Sequence, residues 1–161
     1  MDMIKAFTVT QGGADTSAET TIPTLIQPGI TYGAWLLKAV EVTISPNLLK
    51  AWAAADIDWT FQLTKRSLSG SIVRMVTYTD TDLIASINIA SVMSGTAATA
   101  QIVEATRVYV MPPGVIVYGE NLYAQQISTG TGQTNICWGR ILYETINLTP
   151  QQAMAVIASR P

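Results

Sequence analysis

Acid–base, nucleophilic or metal chemistry in this sequence would have to start from its eleven carboxylates and its single thiol, because it contains no His. Without imidazole it lacks the commonest general base, the Ser-His-Asp and Cys-His arrangements, and the usual zinc donors. Asp56 and Asp58, two residues apart, would share one face of a strand. With Asp80 and Asp82 they are the candidates for a cation held between subunits, since oxygen-rich loops suit Ca²⁺. The plainer role, solvated strand and turn carboxylates, is favoured for all four, because Asp and Glu are mostly exposed. Glu104, Glu120 and Glu144 lie on or beside other expected strands. A glycosidase needs two carboxyl groups about 5–9 Å apart across a cleft, and no spacing here specifies such a pair. Cys137 sits in a strand-like run, where a lone Cys acts as a small hydrophobe and has no His to ionise it. Gly12-Gly13 and Gly130-Thr131-Gly132 lack the strand–loop–helix setting of a phosphate or dinucleotide site. No catalytic residue, resident metal or cofactor is therefore assigned, and an enzyme is not expected.

Binding chemistry is the next candidate. Trp35 and Trp138 could offer aromatic faces to a sugar. Trp59 and Trp138 fall within apolar-alternating strands, and Trp52 on the apolar side of an expected helix. Packing in a core or an interface is the favoured role for each, because Trp buries a large area. Charged residues make up only 12% of the chain, about half the usual share, which suits a surface covered by partners better than a free monomer. The formal net charge is −2, and the densest basic cluster is Lys65-Arg66. Phosphate binding needs several cations, so no direct contact with nucleic acid is expected. No apolar run approaches the roughly 20 residues that would cross a membrane, and the first residues carry no apolar signal core. Synthesis in the cytosol, without secretion, is the expectation.

The elements that would position these residues are mainly strands. Residues 3–10 could form a short strand. Gln11 to Thr21 is polar, with two Gly and no periodicity, and reads as an arm ordered by neighbours. Residues 34–45 alternate as a strand, with Lys38, Val40, Val42 and Ile44 on one face and Ala39, Glu41 and Thr43 on the other. Ser45-Pro46 opens a short helix ending near Asp56. Ile57, Trp59, Phe61 and Leu63 alternate with Asp58, Thr60, Gln62 and Thr64, the pattern of a half-buried strand with one wet face. A hairpin with residues 71–79 is expected to follow. Residues 80–93 fit either state; a helix capped by Asp80 is preferred over a strand through Ala85, Ile87 and Ile89. Strands are expected at about 101–111, 114–118, 121–128 and 135–147. Thr149-Pro150-Gln151-Gln152 is a capping box opening a terminal helix, with Ala153, Met154 and Ile157 on its apolar face. The expected core is Val40, Val42, Ile44, Trp59, Phe61, Leu63, Val108, Val110, Ile141 and Tyr143. The fold class is all-β: a single jelly roll or β-sandwich of about eight strands, with one or two short helices and a C-terminal helix. Residues 1–30 would be an arm and extended lead-in, and 31–161 the sandwich domain.

The order of these elements resembles small single jelly-roll viral capsid proteins. The resemblance is architectural. It is carried by Trp35 to Ile44, Ile57 to Lys65, the Met111-Pro112-Pro113-Gly114 turn into Val115-Ile116-Val117-Tyr118, Leu122 to Ser128, and Gly139 to Glu144. It implies a structural virion protein, made in the host cytoplasm, that builds an icosahedral shell from copies of itself and other capsid proteins. Small RNA-virus coats usually carry a basic arm. Here residues 11–21 hold Asp15 and Glu19 and no Lys or Arg. That departure points to a shell over an internal membrane, into which this chain does not insert, or to a genome neutralised by other proteins. The competing readings are a carbohydrate- or receptor-binding β-sandwich module and a capsid decoration protein.

Overall fold

A computed structural model describes residues 2–26, 32–44, 57–68, 81–91, 106–112, 114–119, 121–130 and 134–158. Within them run strands β1 (Asp2–Thr10), β2 (Ser17–Ile22), β3 (Gly33–Ile44), β4 (Ile57–Thr64), β5 (Leu83–Ser91), β6 (Thr106–Val110), β7 (Ile116–Val117), β8 (Leu122–Thr129) and β9 (Ile136–Asn147), then helix α1 (Pro150–Ala158). The front sheet has the order β1-β9-β3-β6, with the two-residue β7 paired to β3 beside β6. The back sheet has the order β2-β8-β4-β5. Leaving β7 aside, the first strand pairs with the last, the second with the next to last, then β3 with β6 and β4 with β5, all antiparallel. Four nested pairs of this kind are one long hairpin rolled up so that successive pairs fall in alternate sheets. The chain is a jelly roll.

Alternation fills the space between the sheets. Phe7 and Val9 on β1, Val40 and Val42 on β3, and Cys137, Ile141 and Tyr143 on β9 meet Trp59, Phe61 and Leu63 on β4 and Leu122 and Ala124 on β8. Phe7 and Phe61 stack across the two sheets with ring centroids 5.8 Å apart. Trp35 stacks on Tyr143 at 4.0 Å. Ala34, Tyr118, Leu148 and Ala153 form a smaller cluster under α1. The capping box closes as expected: the Thr149 N–H donates to Gln152 Oε1 at 2.9 Å, and the Gln152 N–H donates to Thr149 Oγ1 at 3.2 Å. Only Ala153 of the expected apolar face is buried; Met154 and Ile157 stay exposed.

Several expectations are corrected. The strand expected at residues 3–10 is β1, but residues 11–21 are not an arm. β1 pairs along β9 and β2 along β8, and Gln11 between them is buried. Low apolar content did not prevent order, because backbone pairing and buried amide contacts supply it. Residues 83–91 form a strand, not a helix: Ala85, Ile87 and Ile89 align with Leu63, Phe61 and Trp59, so tertiary pairing decides an ambiguous local pattern. Val108 and Val110 are not core. They point outward from β6, at 60% and 74% exposure, while Tyr109 between them packs on the core. Lys38 does not share a face with Val40. The register shifts between Leu37 and Ala39, and this bulge turns Lys38 outward. The wet face of β4 is wet only at its start, since Gln62 and Thr64 are buried. The helix expected after Ser45, the strand at 71–79, residues 101–105 and the side chain of Ile44 lie outside the described residues.

Candidate functional site

The alternation that fills the core also builds an outer face on the front sheet. Cys137, Ile141 and Tyr143 point inward from β9, so Trp138, Arg140, Leu142 and Glu144 point outward. The registers align these side chains into rows across the sheet. Thr8, Trp138 and Thr43 lie side by side. Ala6, Arg140, Glu41 and Val108 make the next row, and Ile4, Leu142, Ala39 and Val110 the one after. Ile4 is 61% exposed and Trp138 42%, so with the two valines the face presents apolar side chains to solvent from three of its four strands. Scattered exposed apolar residues are ordinary, but a contiguous patch marks an interaction site.

The charges on this face are paired within it. Arg140 Nη2 lies 2.8 Å from Glu41 Oε1. Lys38 Nζ lies 2.5 Å from Asp2 Oδ1 and 3.0 Å from Glu144 Oε2. Hydrogen bonding to Lys38 holds the Asp2 and Glu144 carboxyls below their usual values, and the Asp2 and Glu144 bonds hold Lys38 above its own. The bond to Glu41 likewise raises Arg140. These pairs are solvated and contribute little to stability. Their consequence is a face whose three carboxylates and two cations nearly cancel. A hollow of about 280 Å³ lies beside Trp138, lined by Ala6, Glu41, Thr43, Gly139 and Arg140.

The outer face of the back sheet has another chemistry. Glu19, Gln125, Gln62 and Ser86 form one row across its four strands. Gln125 Nε2 donates to Glu19 Oε2 at 2.8 Å and to Thr64 Oγ1 at 3.1 Å. Glu19 also accepts from the Ser67 hydroxyl and from the Leu68 N–H, so it fastens the segment after β4 to the sheet.

Two of the four candidate cation ligands, Asp58 and Asp82, are described, and they lie apart. Asp58 accepts from Asn88 Nδ2 at 2.8 Å near the start of β4. Asp82 pairs with Arg66 Nε at 2.7 Å, beyond the other end of that strand. Six residues of extended chain separate these two places by roughly 20 Å. Asp56 and Asp80 lie outside the described residues, as do Glu104, Glu120 and Trp52. Of the aromatic candidates, Trp35 is buried against Tyr143, and Trp138 is on the outer face. Trp59 is core, its Nε1–H donating to Gln126 Oε1 at 3.0 Å. Burial pushes the Cys137 thiol up to about 12, so it holds almost no thiolate at neutral pH.

Sequence reasoning missed the polar cluster that closes one end of the sandwich. Gln11 Oε1 accepts from the Asn135 N–H and side chain, both at 3.0 Å, and Gln11 Nε2 donates to Ser128 Oγ at 2.9 Å. Gln126 Nε2 donates to the Val9 and Asn135 carbonyls at 2.8 and 3.2 Å. The available signal was Gln126 in the same strand phase as the apolar Leu122 and Ala124.

No protein-family model and no curated protein matches the chain. Among solved structures it is similar to one of Desmodium yellow mottle tymovirus, with 9% identity over 93% of this chain and 91% of the other, at a TM-score of 0.39. It is also similar to VP1 of the Trichodysplasia spinulosa-associated polyomavirus, solved in complex with 3'-sialyllactose. There the identity is 10% over 91% of this chain and 97% of that one, at a TM-score of 0.43. The assignment as a jelly roll rests on the nested strand pairing of the chain itself.

Proposed function

We propose that this chain is a structural subunit of a virion shell and acts by associating with copies of itself, and not as an enzyme. The observation that carries this reading is a jelly roll whose front sheet turns an apolar, charge-balanced face to the outside. Such a face is a poor solvent surface and a good contact surface. The low charge of the chain agrees with subunits that spend their surface on each other, and the lack of a basic cluster leaves genome neutralisation to other components. The test is light scattering and negative-stain imaging of the purified chain across protein concentration. Capsomer-like oligomers or closed particles are expected. A chain that remains monomeric at the highest soluble concentration would refute the reading.

One observation favours a second reading, a carbohydrate- or receptor-binding module. Trp138 is exposed on a flat sheet beside Thr8 and Thr43, above the hollow at Arg140 and Glu41. Stacking of a sugar on that ring would require glycan-array binding that Trp138→Ala abolishes while the fold stays intact.

A further inference from the structure

We propose that a second copy of this chain packs face to face on the outer surface of the front sheet, about a two-fold axis running along the strands between β9 and β3; this deepens the self-association reading and rests on it. Rotation about that axis lays β9 over the partner's β3, and β1 over the partner's β6. Each cross-strand row then folds back on itself. Arg140 comes over Glu41 of the partner subunit, and Glu41 over Arg140 of the partner subunit. Leu142 meets the partner's Ala39, and Trp138 meets the partner's Thr43, a large side chain against a small one each time. Ile4 meets the partner's Val110. Turning the face about an axis across the strands through the Arg140 row instead brings Arg140 over Arg140 of the partner subunit. The charge pattern therefore selects the first axis.

Size and electrostatics agree with this occupant. Three long strands, β1, β9 and β3, at about 4.8 Å spacing and the five-residue β6 give a flat area of roughly 570 Å², and its relief brings it to the lower bound, ~600 Å² per partner, of a standard interface. Packed sheets settle near −30° to one another, which keeps the central rows in register and lets the corners diverge. Sharing Arg140 and Glu41 between copies replaces one ion pair per chain with a four-charge cluster, so no charge is buried unpaired. A lipid surface is the poorer occupant, because membrane-facing patches recruit anionic lipid with excess Lys and Arg, and here the described cations, Lys38 and Arg140, are each paired to carboxylates.

The experiment uses the full chain in two charge variants, Arg140→Glu and Glu41→Arg. Each breaks the same exposed intrachain pair and makes the face repel its own copy. Size-exclusion chromatography with light scattering should show each variant's dissociation constant raised by roughly tenfold or more, the scale of like-charge juxtaposition. An equimolar mixture should recover the association as a heterodimer, which also proves both variants folded. Val110→Glu should weaken association without rescue by either partner. If the single variants associate like the unmodified chain, the inference is overturned, and particles on the same grids would leave the shell reading standing. A stable dimer that never forms particles supports the inference and removes the shell. An unmodified chain that stays monomeric overturns both. One that instead binds phosphatidylcholine vesicles through this face overturns the inference in favour of lipid.

Discussion

Gly139→Ala sets two effects of opposite sign against each other. Gly139 lies in the middle of β9, directly opposite Phe7 on β1. A glycine inside a strand usually costs stability, so Ala there would ordinarily gain up to about 1 kcal/mol. Here the Phe7 ring covers the bare backbone. A Cβ at residue 139 would lie 2.7 Å from Phe7 Cε2, and nearer still to Cζ. The ring cannot simply swing aside, because it is 7% exposed and stacks on Phe61. Overpacking of this kind costs typically 1–3 kcal/mol, which exceeds the strand gain. A net loss of about 1–2 kcal/mol is expected by urea denaturation followed through Trp fluorescence at fixed protein concentration. Phe7→Leu should absorb part of the loss, so the double variant should be more stable than the sum of the single changes predicts. A more stable Gly139→Ala, or strict additivity with Phe7→Leu, would show that the ring does not occupy that space.

Gln126→Leu should cost about 1–3 kcal/mol, because it strands the buried Trp59 N–H and removes the amide bond to the Val9 carbonyl; an unchanged denaturation midpoint would dissolve the polar cluster as a structural element. Cys137 should resist thiol reagents at pH 8 in the native chain and react once urea unfolds it, and prompt stoichiometric labelling without denaturant would contradict its burial. Deleting residues 2–22 should abolish cooperative unfolding, because it removes a strand from each sheet together with Phe7, Val9 and Ile22; a truncated chain that still melts cooperatively would restore the arm reading. Because the Asp2 and Glu144 values are depressed, their pairing with Lys38 stabilises the fold above the ordinary carboxylate range and is lost as pH falls through the lowered values. Lys38, being raised, loses its share only as pH climbs past its own value. Protection of the β1 amides from hydrogen exchange should therefore be flat between about pH 5 and 10 once corrected for intrinsic rates, and an optimum inside that window would point to another titrating group.

Much of the sandwich was legible because one-sided burial leaves a period of two. Trp59, Phe61 and Leu63 were placed on the core side of their strand, and Ile141 and Tyr143 on theirs, from alternation alone. The capping box at Thr149 was legible because its chemistry is local. What could not be read is what depends on a partner elsewhere in the chain. Residues 83–91 carry both periods, and only alignment with β4 selects the strand. The bulge that turns Lys38 outward is a one-residue shift invisible to alternation. Gln11 looked like a solvated residue because the partners that bury it, Ser128 and Asn135, lie more than a hundred positions away. The outer-face rows were hidden for the same reason: each combines residues from three or four different strands.

The misplacement of Val108 and Val110 connects the low charge of the chain to its proposed role. Both were assigned to the core from their alternating placement on the strand expected at about 101–111. The structure turns them outward and gives the inner position to Tyr109. A solitary domain would gain from polar side chains there, since two valines on an edge strand invite unwanted pairing. The back sheet shows that this sequence has that alternative available: its outer face is tiled with Glu19, Gln125, Gln62, Thr60 and Asn88, hydrogen-bonded to one another or to neighbouring strands. Among the described residues the two faces of one fold thus differ: the back one is mainly polar, and the front one exposes large apolar side chains beside balanced charge. Low charge is not spread evenly over a neutral protein. It combines a hydrogen-bonded, mainly polar back with a front whose burial against another subunit would remove Ile4, Val108, Val110 and Trp138 from water together.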